Sequence, residues 1–209
     1  MVNYGIYCTD DQKDKEGNKG NTKKTEEIPI SAFWGHNDKG IRTVVIKTNY
    51  LKTRGVHKYK LLDPRKEFGK IKKHIDYIGR EENIFYDKEG NTISKEKVWE
   101  EIKEKNPFII HRMVLSPWKK LEDDEQFKAF VKYEILALRK MLDERKKFDY
   151  FYAKHDGDYS ISANVILYSN NQLFIRDYTL AYMREAGNEF MEELEKGKIL
   201  LEPEGWLNL

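Results

Sequence analysis

The chain has 209 residues, 39% of them hydrophobic and 13% aromatic, which is enough for one compact domain and too many for wholesale disorder. Its 38 Lys and Arg nearly balance 36 Asp and Glu, so the net charge of +2 says little about partners and the distribution along the chain matters more. The single cysteine, Cys8, excludes an intrachain disulfide and a multi-cysteine zinc site, and no apolar run reaches the roughly 18–20 residues that span a bilayer.

These bounds describe a soluble, cytoplasmic protein with no membrane partner. Only three Gln occur, and charges of both signs are dense. That pattern fits a thermophilic host, although AT-rich coding would leave the same mark.

Residues 1–40 read as an N-terminal segment. Within it, residues 10–27 (DDQKDKEGNKGNTKKTEE) hold no large apolar side chain and are expected to be flexible. The domain proper is expected over residues 41–209. Residues 41–49 (IRTVVIKTN) are β-branched and predict a strand. A helix follows, with Asp63 as its cap and Pro64 in its first turn. Phe68, Ile71, Ile75 and Ile78 recur at helical spacing and define its buried stripe, and Gly79 marks its end.

Next come a short hairpin turning over residues 87–91 and a second helix over 95–105 with Val98, Trp99 and Ile102. Residues 107–115 (PFIIHRMVL) predict a buried strand, and 122–147 a long helix. Residues 148–153 and 161–168 predict two further strands, 173–175 an edge strand, and 177–195 a last helix ending at Gly197. Strands and helices mix without a regular βαβ period. The expected fold is therefore α+β, an antiparallel sheet flanked by helices.

Three places concentrate chemistry. On the first helix, Tyr77 lies off the centre of the isoleucine stripe, with Lys73 and Arg80 as helical neighbours. Flanking cations favour a phenolate, as a tyrosine nucleophile needs, and they equally suit a boundary tyrosine among solvated lysines. In the second place, period-2 alternation puts Ile161, Ala163, Val165 and Leu167 on one face of a strand and Ser162 and Asn164 on the other. His155 would enter this polar face from the neighbouring strand. A hydrogen-bonded surface histidine is the alternative.

The third is basic. Residues 52–73 hold nine Lys and Arg against two acids, a net of +7. Arg54, Lys58, Lys60, Arg65, Lys66, Lys70, Lys72 and Lys73, with Arg80 beyond, are the candidate phosphate contacts. Tyr50, His57 and Tyr59 interleave with them as stacking surfaces. A solvated helix face would also be charged, but its signs would alternate more.

Taken in order, HIDYIGREE, IIHRMVLSP, FDYFYAKHDGD, ANVILYSN and RDYTLAYMREAGNEFMEELE resemble the nicking domain of plasmid-mobilisation relaxases, the HUH endonucleases of conjugative transfer. The resemblance spans about residues 42–195. It implies that Tyr77 is a nucleophile that nicks single-stranded DNA by transesterification.

It also implies a divalent ion, Mn²⁺ or Mg²⁺, on three histidines, one followed by two more at seven and nine residues. Here those positions are His155, Ser162 and Asn164, so two imidazoles are replaced by weaker oxygen donors. Asp156, Asp158 and His111 are the candidate substitutes, and the family's loop Asp is Gly157.

Three functions stay open from sequence: an atypical nickase, a degenerate accessory or replication protein of a mobile element or virus that binds single-stranded or hairpin DNA without cutting, and a structural or partner-binding protein. In the second case no metal is needed. Other transfer or replication proteins are the expected protein partners.

Overall fold

A computed structural model describes residues 43–57, 59–80, 84–143, 145–157 and 161–197. The expected flexible segment 10–27, Cys8, Lys58 and Asp158 lie outside these residues. The described elements are β1 (Val45–Lys52), β2 (Val56–His57), β3 (Lys60–Leu61), α1 (Pro64–Ile78), β4 (Phe85–Tyr86), β5 (Thr92–Ile93), α2 (Lys95–Lys105), β6 (Ile109–Ser116), α3 (Asp124–Met141), β7 (Asp149–Asp156), β8 (Ile161–Ser169) and α4 (Asp177–Glu195).

Local chemistry explains most boundaries. Asp63 accepts the Arg65 N–H at 3.0 Å to cap α1, and Pro64 occupies the position where a missing N–H is harmless. Ile71, Ile75 and Ile78 are buried, and transfer from water of each such side chain stabilises by about 1.5–3 kcal/mol. Gly79 is the C-cap, its N–H bonded to the Ile75 carbonyl, and Phe85 presses against it: an added Cβ would lie 2.9 Å from the phenyl ring. Ser94 caps α2 and Asn106, at φ 42°, closes it in the left-handed conformation.

The sheet is six-stranded and antiparallel at every pairing, in the order β1-β6-β8-β7-β4-β5. The three central strands β6, β8 and β7 are therefore neighbours. One face buries Ile109, Met113, Leu115, Tyr150, Tyr152, Val165 and Leu167 against α3 and α4. The other buries Ile110, Phe151, Ala153 and Ile166 against α1 and α2. Two apolar faces require two helical layers, which is why the fold is α+β with helices on both sides.

Four departures from the sequence reading have visible causes. β1 runs on to Lys52 because its ladder with β6 continues to Lys52 and Ile109, and the Thr53 amide then bonds the Phe108 carbonyl at 3.1 Å. α3 stops at Met141 rather than 147. There Asp143 binds the Arg145 amide and guanidinium at 2.8–3.0 Å, a local side-chain bond that competes with helix. β7 extends through His155 to Asp156, carried by pairing with β8. Residues 173–175 form no strand: Leu173 is buried and its carbonyl accepts from His111 Nε2 at 3.1 Å.

One buried group stands out from the core. Glu134, on α3, is fully buried, and neither carboxyl oxygen has a hydrogen-bond partner among the described residues. It faces Gly187 of α4, where a methyl group would overlap its Oε1. Burial pushes its carboxyl well above the ordinary range, against a smaller opposing pull from Arg184.

Candidate nucleic-acid interface

Antiparallel register sorts the candidate residues by face, since directly paired residues share one side of a sheet. His155 stands opposite Ser162, and Ala153 opposite Asn164. Asn164 in turn pairs with Val114, and Ile166 with Arg112. Arg112 pairs onward with Asn49. Ala153, Phe151 and Ile166 belong to the cluster that includes Ile71, Ile75 and Ile78, so this is the side covered by α1. His155, Ser162, Asn164 and Arg112 therefore share a face with the helix that carries Tyr77.

That face is polar only at its end. The sequence reading puts Ser162 and Asn164 on this face, and Ile166 and Tyr168 follow them on the same side, buried under α1 and α2. Ser162 is buried, Asn164 half-buried and His155 exposed.

Two proposed ligand substitutes face the wrong way. His111 points with Ile109, Met113 and Leu115 to the α3–α4 side, where its ring meets Tyr50 at 5.8 Å between centroids. Its Nε2 faces the Leu173 carbonyl, which can only accept, so Nε2 carries the proton. Asp156 pairs across the ladder with Ile161, on that same far side. Lys120 at 2.6 Å and Lys154 at 3.7 Å neutralise it, and the Lys120 contact leads in holding its carboxyl below the usual range. One residue along a strand reverses the face, which removes both from His155.

On α1, Lys66, Lys70, Lys73 and Tyr77 follow at steps of four, three and four, so they line one stripe of the helix surface. All four are exposed, Tyr77 to 59%. Lys70 is engaged by Glu67 at 2.8 Å. The Arg80 guanidinium lies 4.4 Å from the centre of the Tyr77 ring, a cation–π contact. Arg54, Lys60, Arg65 and Lys72 are exposed as well. Phe68 meets Trp99 of α2 at 6.2 Å, so the flank bearing His74 and Tyr77 turns away from α2.

Sequence reasoning does not single out His74 or Arg112. His74 is half-buried, and its pKa is lowered to about 4, chiefly by burial and then by the charge of Arg112. The signal that could find Arg112 is a fixed charge within the mostly apolar strand run IIHRMVL.

These residues do not fit a divalent ion. The His155 face offers one imidazole beside a neutral amide and a neutral hydroxyl, whereas Mg²⁺ and Mn²⁺ call for carboxylates. Among the described residues no group of three or more His, Cys, Asp and Glu is placed to hold a metal.

The arrangement defines an α+β protein whose first helix carries an exposed cationic stripe and packs through its isoleucines on the sheet face that ends in His155, Ser162 and Asn164. Compared with models of known protein families, with curated proteins and with solved structures, the chain shows no match. Among the described residues no helix is long and apolar enough to cross a membrane.

Proposed function

We propose that the chain is a relaxase-like protein that binds single-stranded DNA along α1 and breaks a phosphodiester by transesterification at Tyr77. The stripe Lys66–Lys70–Lys73–Tyr77 carries this reading, because it leads from phosphate-binding cations to an exposed phenol. In the reaction the Tyr77 oxygen bonds to phosphorus and the bond from phosphorus to the leaving sugar oxygen breaks. The phenolic proton is returned through solvent to that oxygen, and a phosphotyrosine remains.

A second reading has the same fold binding single-stranded or hairpin DNA without cutting, as an accessory protein of a mobile element. The replacement of two of the three imidazoles, with His111 and Asp156 turned away, favours it.

Incubation with labelled single-stranded DNA, in Mn²⁺ and separately in EDTA, followed by a denaturing gel, separates the two. The nicking reading expects a covalent adduct that Tyr77→Phe abolishes. Binding with no adduct in either condition leaves the accessory reading. Absence of binding refutes both.

A further inference from the structure

Arg112 carries a charge in the sheet whose partner is missing among the described residues. It sits half-buried in β6 between the buried residues His111 and Met113. Its Nε is buried and has no hydrogen-bond partner, and it forms no ion pair with a carboxylate, among the described residues. A guanidinium drawn into a fold without a counter-charge is costly unless something supplies one. Its cross-strand neighbours on the same face are Asn49 and Ile166, and the next row holds Lys47, Val114 and Asn164. From α1, His74 lies within reach of its charge. Glu67, the acid one helical turn before Ile71, is already held by Lys70. The surroundings therefore offer donors and neutral amides, with the negative charge missing.

We infer that Arg112, with His74 beside it, is an oxyanion-binding subsite that holds a phosphodiester of single-stranded DNA on the sheet face carrying Ser162 and Asn164. The inference rests on the DNA-handling function proposed above and goes beyond it. It puts a fixed guanidinium on the same sheet face as the three positions that the family resemblance assigns to a metal ion, one row from Asn164. A planar fork of N–H donors matches phosphate oxygens, and such charge-assisted bonds are about twice as strong as neutral ones. His74 strengthens the site in a second way. An anion between the two residues offsets the charge of Arg112, so His74 can take a proton from solvent and become a second cationic donor.

The test follows the ring signals of His74 by NMR in the intact protein, with EDTA present throughout and two probes, a short oligothymidylate and inorganic phosphate. The expected result is that the oligonucleotide shifts the His74 signals and moves its titration midpoint up toward the ordinary histidine value. Arg112→Gln should abolish that response and weaken oligonucleotide binding about tenfold, while Arg112→Lys retains part of both. If the oligonucleotide binds and His74 does not respond, the subsite is refuted and the DNA reading stands. If phosphate shifts His74 and the oligonucleotide does not bind at all, the anion site stands and the DNA reading falls. Silence toward both probes overturns the inference without recourse to either variant.

Discussion

His155 and Ser162 stand directly opposite each other in the β7–β8 ladder, with Asn164 two residues along on the same face. Histidines at 162 and 164 would therefore converge with His155 on one side of the sheet. The double variant Ser162→His/Asn164→His is expected to gain a transition-metal site, with Ni²⁺ affinity raised about 100-fold or more over the parent by calorimetry. A folded double variant with no gain would show that the three positions do not share a site.

Binding of single-stranded DNA should weaken steeply with salt, because each neutralised phosphate releases counterions. Lys60, Lys66, Lys72 and Lys73 are exposed, whereas Lys70 is neutralised by Glu67. Changing those four to Ala should lower the slope of log K against log salt by about 0.7 for each phosphate that is no longer neutralised. An unchanged slope in fluorescence-anisotropy titrations would move the binding surface off α1 and the β2–β3 loop.

Stability should fall on the acid side through His111. Burial lowers its pKa to about 4, outweighing the hydrogen bond to Leu173 that raises it. Between the ordinary histidine value of about 6.5 and 4, the unfolded chain takes up a proton that the folded chain refuses. Stability is then fully present above that window and declines as pH falls through it, by at most about 1.4 kcal/mol per pH unit. His111→Gln, which keeps a donor for Leu173, should flatten this limb in urea titrations at pH 7 and 5. An equally steep variant would assign the acid limb to other groups.

Glu134 acts in the opposite direction. Burial raises its carboxyl above the ordinary glutamate value of about 4.3, so as pH rises past that value the unfolded chain gives up its proton before the folded chain does. Stability therefore drops as pH rises through that window, again by at most about 1.4 kcal/mol per unit. Glu134→Gln should remove this slope, so that its stability relative to the parent improves from pH 5 to pH 8. A constant difference between the two across that range would show that the carboxyl is ionised in the fold.

Elements with local signals are legible from the residues alone. Asp63, Pro64 and the Phe68–Ile78 stripe define α1, and α2 and α4 follow from their own periodicity, because caps and amphipathic spacing act within a few residues. The antiparallel α+β class and the basic run of residues 52–73 are legible for the same reason. The end of α3 is not, because Asp143 captures Arg145 in a turn that periodicity does not register.

Tertiary structure decides the site. Alternation along a strand fixes which residues share a side, but which side meets α1 depends on the register between strands distant in sequence. That register places Asp156 and His111 with α3 and α4, and Arg112 with His74. Ion pairing across the fold then commits Asp156 to Lys120. A histidine or aspartate is named by the sequence, but its partners are chosen by the packing of two helical layers onto opposite faces of one sheet.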